Sequence, residues 1–467
     1  MWHQIVKLYI ALFALCCALF LFVDVTTVMA FLGVSFNSIV GMLVILHLSL
    51  AMYGLLDAMQ YDKDILSFRG VLHGIFLSYA LVTPIGFLIY SYDFRQYGNI
   101  FATFFEQDRF IKVMMLMALY QVGMIIGSKL RPLQFSVLRT VFSTSRITPI
   151  SWIILVLALS PWLMLILEGQ WGIDKSYGEV FEAVALQRET NPLTTYLGLQ
   201  TFPPIIWIAL YSYKRKQMKW LVILFAFLIL ITMFKPSRGL IVGAMIAAIL
   251  CRHYYYKRLS LGKVALFVII AIVLSMTLMS VRLGDQRDVE LSDIAMSSSE
   301  GGVIFQNTYL VHKYIEDTGD YRYGIGYLKG YQFLVPKWML PFERDPNMPL
   351  WLLQTFFGPS YPGGRMFSIV ADGYLNFSYP GPLILGILTA YIMKIFYTHM
   401  RTESSDPRSI ELGTILYLVF CVQIYLLYRS DVVYFIVNIY AQLVVTVGVI
   451  LVFAMRRRVF TRNAIAN

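Results

Sequence analysis

Charge is scarce in this sequence. Of 467 residues, 14% are Asp, Glu, Lys or Arg and 58% are hydrophobic, against ~25% charged in an average soluble domain. That excludes an ordinary soluble chain. Cysteine is scarce as well. Cys16, Cys17, Cys251 and Cys421 all lie in apolar runs, so neither a disulfide framework nor a zinc-type spacing is present. No phosphate-binding P-loop, no His-Glu-x-x-His and no Cys/His cluster occurs, and ATP-driven or metal-dependent chemistry finds no support. Internal repeats, the mark of many secondary transporters, are not visible. Acidic residues are outnumbered 27 to 38 by basic ones. In an apolar chain that excess is read loop by loop, and it does not point to nucleic acid.

Long apolar runs are what the sequence has instead. Runs of ~17–25 such residues read as transmembrane helices. They fall at about 5–23, 34–56, 70–91, 111–128, 149–167, 194–212, 220–234, 239–252, 264–280, 380–398, 410–428 and 432–454. No small-residue cleavage site follows Ile5–Val23, so that run is expected to be a retained helix. The expected fold is an all-α polytopic membrane protein of about 12 helices. Every second loop is basic: Lys129 to Arg146, Lys214 to Lys219, Arg252 to Lys263, and the tail Arg456 to Arg462. The alternate loops, such as Asp93 to Asp108 and Glu168 to Glu189, are acidic or mixed. The positive-inside rule then expects both termini in the cytoplasm. Three regions follow: helices over 1–280, a large outer loop or cap over 281–365, and helices with a basic tail over 366–467.

This topology sends unusual charges to the outer side. "LLYRSDVVYF", Leu426 to Phe435, puts Arg429 and Asp431 in a tight hairpin between apolar runs. "FKPSRG", Phe234 to Gly239, puts Lys235 and Arg238 in another. From Lys219 to Arg252 each pass has about 17 residues, or ~26 Å of helix, short of the ~30 Å hydrocarbon layer, so this turn is expected below the surface. "GPSYPGGRMFSIVADGYLNFSYPGP", Gly358 to Pro382, brings Arg365 and then Asp372 to the same level. Arginine forks bind phosphate oxygens bidentately, which suits the diphosphate of a lipid whose tail stays in the bilayer. The plainer reading is that each arginine pairs with a neighbouring carboxylate or caps a helix.

Other candidates carry both readings too. Asp372, beside Tyr374 and Asn376, can take a proton from a sugar hydroxyl or pair with Arg365. Asp431 is expected to orient Arg429. His312, the one histidine of the outer loop, is a general-base candidate or incidental. Tyr323 to Pro346 reads as an interfacial segment on the outer membrane face, or as sugar-stacking aromatics. Asp62-Lys63-Asp64 has a metal-transferase spacing but falls among cytoplasmic loop charges. The inner half of the bundle reads as apolar.

In order and in residues the chain resembles the Wzy-type O-antigen and oligosaccharide repeat-unit polymerases of bacterial inner membranes. The resemblance rests on three patches. Arg238 in "KPSRGL" matches an arginine after the seventh helix. Asp372, Tyr374, Asn376, Phe377 and Gly381 match a Glu-x-Tyr-x-Asn-Phe-Gly-x-x-Gly run, with Asp372 in place of Glu and Ser378 in place of the first Gly. Arg429 and Asp431 match a late Arg-x-Asp. The resemblance implies a GT-C-like architecture. It implies a metal-independent glycosyltransferase without cofactor that joins undecaprenyl-diphosphate-linked oligosaccharides, donor and acceptor, on the periplasmic face of the inner membrane. A chain-length regulator is a possible partner. Arg238, Arg365 and Arg429 would hold diphosphate, with Lys235 beside them. Asp372, then His312, would be the base, and Tyr374, Asn376 and Asp431 would bind substrate. O-antigen ligases have a similar layout and rely on an outer-loop histidine, which keeps His312 and a ligase open. A flippase for lipid-linked oligosaccharide is the remaining alternative.

Overall fold

The computed structural model describes residues 25–90, 105–169, 201–234, 238–260, 262–264, 266, 300–333, 339–342, 347–358, 367–401, 409–440 and 442. The expected helices at 5–23 and 264–280, and the end of the last one, lie outside the described residues. The described residues are overwhelmingly helical. In order come α1 (Val25–Leu32), α2 (Phe36–Asp57), α3 (Phe68–Tyr90), α4 (Gln107–Lys129), β1 (Val141–Ser143), α5 (Thr144–Leu167), α6 (Phe202–Lys214), α7 (Lys219–Phe234) and α8 (Arg238–Tyr255). There follow α9 (Glu300–Thr318), α10 (Ile325–Leu328), α11 (Met348–Phe357), α12 (Ile369–Phe377), α13 (Pro380–Arg401), β2 (Ser409–Glu411) and α14 (Leu412–Tyr428). Residues 432–440 are helical again. Among the described residues, four segments are long and apolar enough to cross a membrane: Phe36–Asp62, Phe68–Leu88, Gln107–Lys129 and Pro380–Arg401.

Local sequence explains the boundaries. The Ser35 hydroxyl caps α2 by accepting from the Ser38 N–H, as an N-cap serine does. The helix then runs through a π turn, Ala58–Asp62, and stops at Lys63 in left-handed conformation (φ 50°).

The centre is the contact of α4 with α13. Gly123 and Gly127 lie one turn apart on α4 and face Leu383 to Ile387 of α13, while Gly386 faces Tyr120 and Gly123. A Cβ at any of the three would overlap the opposing backbone. Small residues allow this approach, which dispersion rewards where no hydrophobic effect drives helices together. Tyr120 Oη donates to Thr389 Oγ1 across the same contact (3.1 Å).

At one end of α4 the loops are tied together by charge. Lys129 pairs with Asp57, and Arg69 with Asp62 (2.5 Å). Asp64 accepts from Tyr397 Oη (3.0 Å) and meets His253 Nε2 (2.7 Å). Strands β1 and β2 pair antiparallel nearby, Val141 opposite Glu411. The loop charges Asp62 and Asp64 are thus drawn into buried pairs with Arg69 and His253. The buried carboxylate of Asp64 recruits partners from α8 and α13 that no local pattern reveals.

Helix α9 falls within the expected cap, yet it packs into the bundle. Phe305 stacks against Phe110 of α4 (centroids 4.7 Å). Arg109 Nε donates to Glu316 (2.9 Å). This joins α9 to the other end of α4.

Candidate functional site

Helix α12 is short because both of its ends are fixed. The Ser368 hydroxyl caps it, accepting from the N–H groups of Val370 and Ala371. At the far end Ser378 adopts φ 57°, ψ −152°, a region that glycine alone occupies easily. The chain folds back so tightly there that Gly373 and Gly381 touch backbone to backbone. That hairpin presents Asp372 and Asn376 on one side of α12.

Asn376 is a clamp. Its Nδ2 donates to Asp372 Oδ1 (3.0 Å) and to the Asp372 carbonyl (2.9 Å), and its Oδ1 accepts from the Gly324 N–H (3.2 Å). The Arg322 N–H donates to the Leu375 carbonyl (3.0 Å). The segment 319–333 is thereby latched onto α12. Of the expected interfacial segment Tyr323 to Pro346, the part up to Phe333 folds as α10 and a following 3-10 turn, Lys329–Phe333, and walls a cavity of about 360 Å³, while 334–338 and 343–346 lie outside the described residues. Gly330 fits here because Val433 lies against it.

The third wall is the hairpin after α14. The Phe367 N–H donates to the Arg429 carbonyl (3.0 Å), which ties the approach to α12 to the hairpin. The Val432 N–H donates to Asp372 Oδ2 (2.9 Å). Asp431 caps the helix at 432–440, its Oδ1 accepting from the Tyr434 N–H (2.7 Å). Two carboxylates from distant segments thus share one buried place; Asp372 is 1% and Asp431 3% exposed. Both oxygens of Asp372 are hydrogen-bonded. Asp431 Oδ2 has no hydrogen-bond partner among the described residues, and the Tyr327 hydroxyl lies beside Asp372 and Asn376. Both residues line the cavity.

The electrostatics follow from this burial. Burial, then the neighbouring charge of Asp431, pushes the Asp372 carboxyl well above the ordinary range, against the Val432 N–H and Arg322. Burial also pushes Asp431 up, against the N–H groups around it and Arg322. Two such acids hold one proton between them more easily than two charges. Arg322 stacks on Trp351, its guanidinium 4.6 Å from the ring centre, and reaches the cavity with Lys329. Among the described residues no three His, Cys, Asp or Glu side chains gather as a metal site.

The cavity collects Asp372, Asn376 and Asp431 from the expected site. It does not collect Tyr374, which is buried beside it, or His312. The His312 ring is fully buried and stacks on Tyr374 (4.9 Å, 6°), with Nδ1 3.4 Å from Glu316. Arg429 leans on the Tyr425 ring (5.7 Å). The expectation that Asp431 orients Arg429 is corrected: Asp431 faces Asp372 and the cavity. Lys235, Arg365 and the side chain of Arg238 lie outside the described residues. Arg322, Tyr327, Lys329 and Gln332 were missed. Their signal was the run "DYRYGIGYLKGYQ", too dense in Tyr, Gly and charge for a simple anchor.

No family model, curated protein or solved structure matches this chain.

Proposed function

We propose that the protein polymerises undecaprenyl-diphosphate-linked oligosaccharides, moving a growing glycan from its lipid carrier onto a hydroxyl of the next unit at the periplasmic face of the bacterial inner membrane. One observation carries the reading. A buried carboxylate pair, with one oxygen unpartnered, opens into a cavity at one end of an apolar helix bundle. Such a place suits an enzyme whose substrate has a sugar to activate and a lipid tail left in the bilayer. The volume lies in the range of small-molecule sites. Tyrosines and an asparagine among the lining residues are of the kind that pack on and hydrogen-bond sugar rings.

Two tasks define the chemistry. A hydroxyl must lose a proton, and a carboxylate with raised proton affinity takes one near neutral pH. A diphosphate must leave, and fixed cationic donors stabilise it. Arg429, Arg238, Arg365 and Lys235 are the proposed donors, on the sequence pattern. The ligase alternative relies on His312, which stacks on Tyr374 and is not among the residues that line the cavity.

Reconstitution tests the reading. Purified protein receives lipid-diphosphate-linked repeat units in detergent, without nucleotide or added metal, and a gel ladder spaced by one repeat is expected. Movement of the same lipid across a vesicle wall without a ladder would replace polymerase by transporter.

A further inference from the structure

The cavity wall is too acidic for a diphosphate. Asp320, Asp372 and Asp431 line it against Arg322 and Lys329. A ligand carrying about two negative charges would sit beside a buried acid pair that keeps a negative charge even when it shares one proton, and be repelled by it. A neutral sugar meets no such cost. Among the described residues Asp431 Oδ2 makes no hydrogen bond, and a buried acceptor left so is costly until a ligand supplies a donor.

We infer that this cavity is the acceptor subsite, and that Asp431 Oδ2 binds the attacking sugar hydroxyl and receives its proton. Asp372 is a positioning residue. Both of its oxygens are committed, to Asn376 and to the Val432 N–H, so it fixes the hairpin and keeps a negative charge beside Asp431. The acceptor oxygen forms a bond to the anomeric carbon of the donor. The bond from that carbon to the diphosphate oxygen breaks, and its electron pair leaves with the lipid diphosphate. The hydroxyl proton passes to Asp431 and later to water. The inference rests on the polymerase reading for the reaction, but not for the ligand.

Asp431→Asn is a clean probe, because asparagine also caps helices. Ladder formation is followed from pH 5.5 to 9 at saturating donor. The groups facing Asp431 are Asp372 from α12, Asp320, Arg322, Tyr327 and Lys329 from the latched segment, and Tyr434 from its own helix. Asp431→Asn is expected to slow the ladder about 100-fold or more, with unchanged melting temperature. Asp372→Asn is expected to keep a slower ladder whose acidic limb moves to lower pH, since removing the neighbouring charge lowers the proton affinity of Asp431. An undiminished ladder in Asp431→Asn overturns the assignment.

A binding arm separates this from the polymerase reading. Repeat-unit oligosaccharide cleaved from its diphosphate is titrated against the protein, read by tryptophan fluorescence, with Trp351 near the cavity as reporter. Wild type is expected to bind it, Asp431→Asn to bind at least tenfold more weakly, and inorganic pyrophosphate not to displace it. Displacement by pyrophosphate, or equal binding by the variant, overturns the subsite. Binding of the expected kind with no ladder from wild type overturns the proton step and the polymerase reading together, and leaves the sugar site standing.

Discussion

The two ends of α4 hold the same kinds of residue and use them in opposite ways. At the Lys129 end, Asp64 takes the Leu66 N–H (2.9 Å), the Tyr397 hydroxyl (3.0 Å) and His253 (2.7 Å). The Leu259 N–H donates to His253 Nδ1 (3.0 Å), so its Nε2 carries the proton toward Asp64. Both oxygens of Asp64 are hydrogen-bonded. Burial alone would raise Asp64; His253, Tyr397 and the Leu66 N–H outweigh it and hold the carboxyl below its usual range. At the Gln107 end burial outweighs the N–H groups and Arg322 at both Asp372 and Asp431, the Asp431 charge adds to it at Asp372, and both carboxyls are raised. A closed network ties loops together. An open one, with Asp431 Oδ2 spare, is arranged for something that arrives.

The largest expected effect comes from exchanging the test between the ends. Asp431→Asn should cut glycan ladder formation about 10²–10⁴-fold while the folded fraction stays as in wild type. Asp64→Asn should do the reverse. It leaves His253 with a weaker partner and lowers melting temperature, and ladder formation per folded molecule stays within about twofold, as expected far from the chemistry. Thermal melts run beside gel ladders decide it. If both variants lose activity and neither loses stability, the two ends do not differ in kind.

Stability against pH should sharpen the contrast next. A carboxyl raised in the folded state binds its proton more tightly there than in the unfolded chain. The native cavity therefore holds more protons between the ordinary carboxylate range and neutrality, and stability falls as pH rises through that window. Asp372→Asn should remove much of that slope. Asp64 has the opposite sign: its contribution is present above the unfolded value and is lost as pH falls through the folded one. Asp64→Asn should flatten the acid side of the melting profile instead. Melting temperatures of both variants across pH 3–8 check this, and equal effects on the same limb would defeat it.

Arg322 gives a smaller, directional effect. Its charge works against the raised proton affinity of both acids. Arg322→Gln should move the acidic limb of the ladder rate to higher pH, while Arg322→Lys should keep the limb near its wild-type place. The rate–pH profile of the two variants reads it.

The comparison also marks how far the sequence carried. Helices such as α2, α4, α13 and α14 were legible because long apolar runs leave little choice of structure in lipid. Asp372, Asn376 and Asp431 were legible as polar residues at the ends of such runs. Their partnership was not, because it joins residues 60 apart through the Val432 N–H. Arg322 and Tyr327 reach the cavity only because Asn376 holds Gly324. His312 drew notice as a lone loop histidine. The helical spacing of Phe305, Tyr309 and His312 puts it on the buried face of α9, where it stacks on Tyr374.

Ser378 offers the finest test. It stands where the resembling motif has glycine, and its backbone lies at φ 57°, ψ −152°. A side chain there costs about 1–3 kcal/mol of strain. Its hydroxyl contact with Tyr321 (3.2 Å) returns part of that, worth about 0.5–1.5 kcal/mol. Ser378→Gly should therefore raise the melting temperature slightly. Tightening the turn that presents Asp372 should leave the ladder rate unchanged, because Gly373, Gly381 and Asn376 already fix its position. A lower melting temperature would mean that the Tyr321 contact, rather than the turn, holds the latched segment on α12. The cavity end would then depend on side-chain ties as the Asp64 end does.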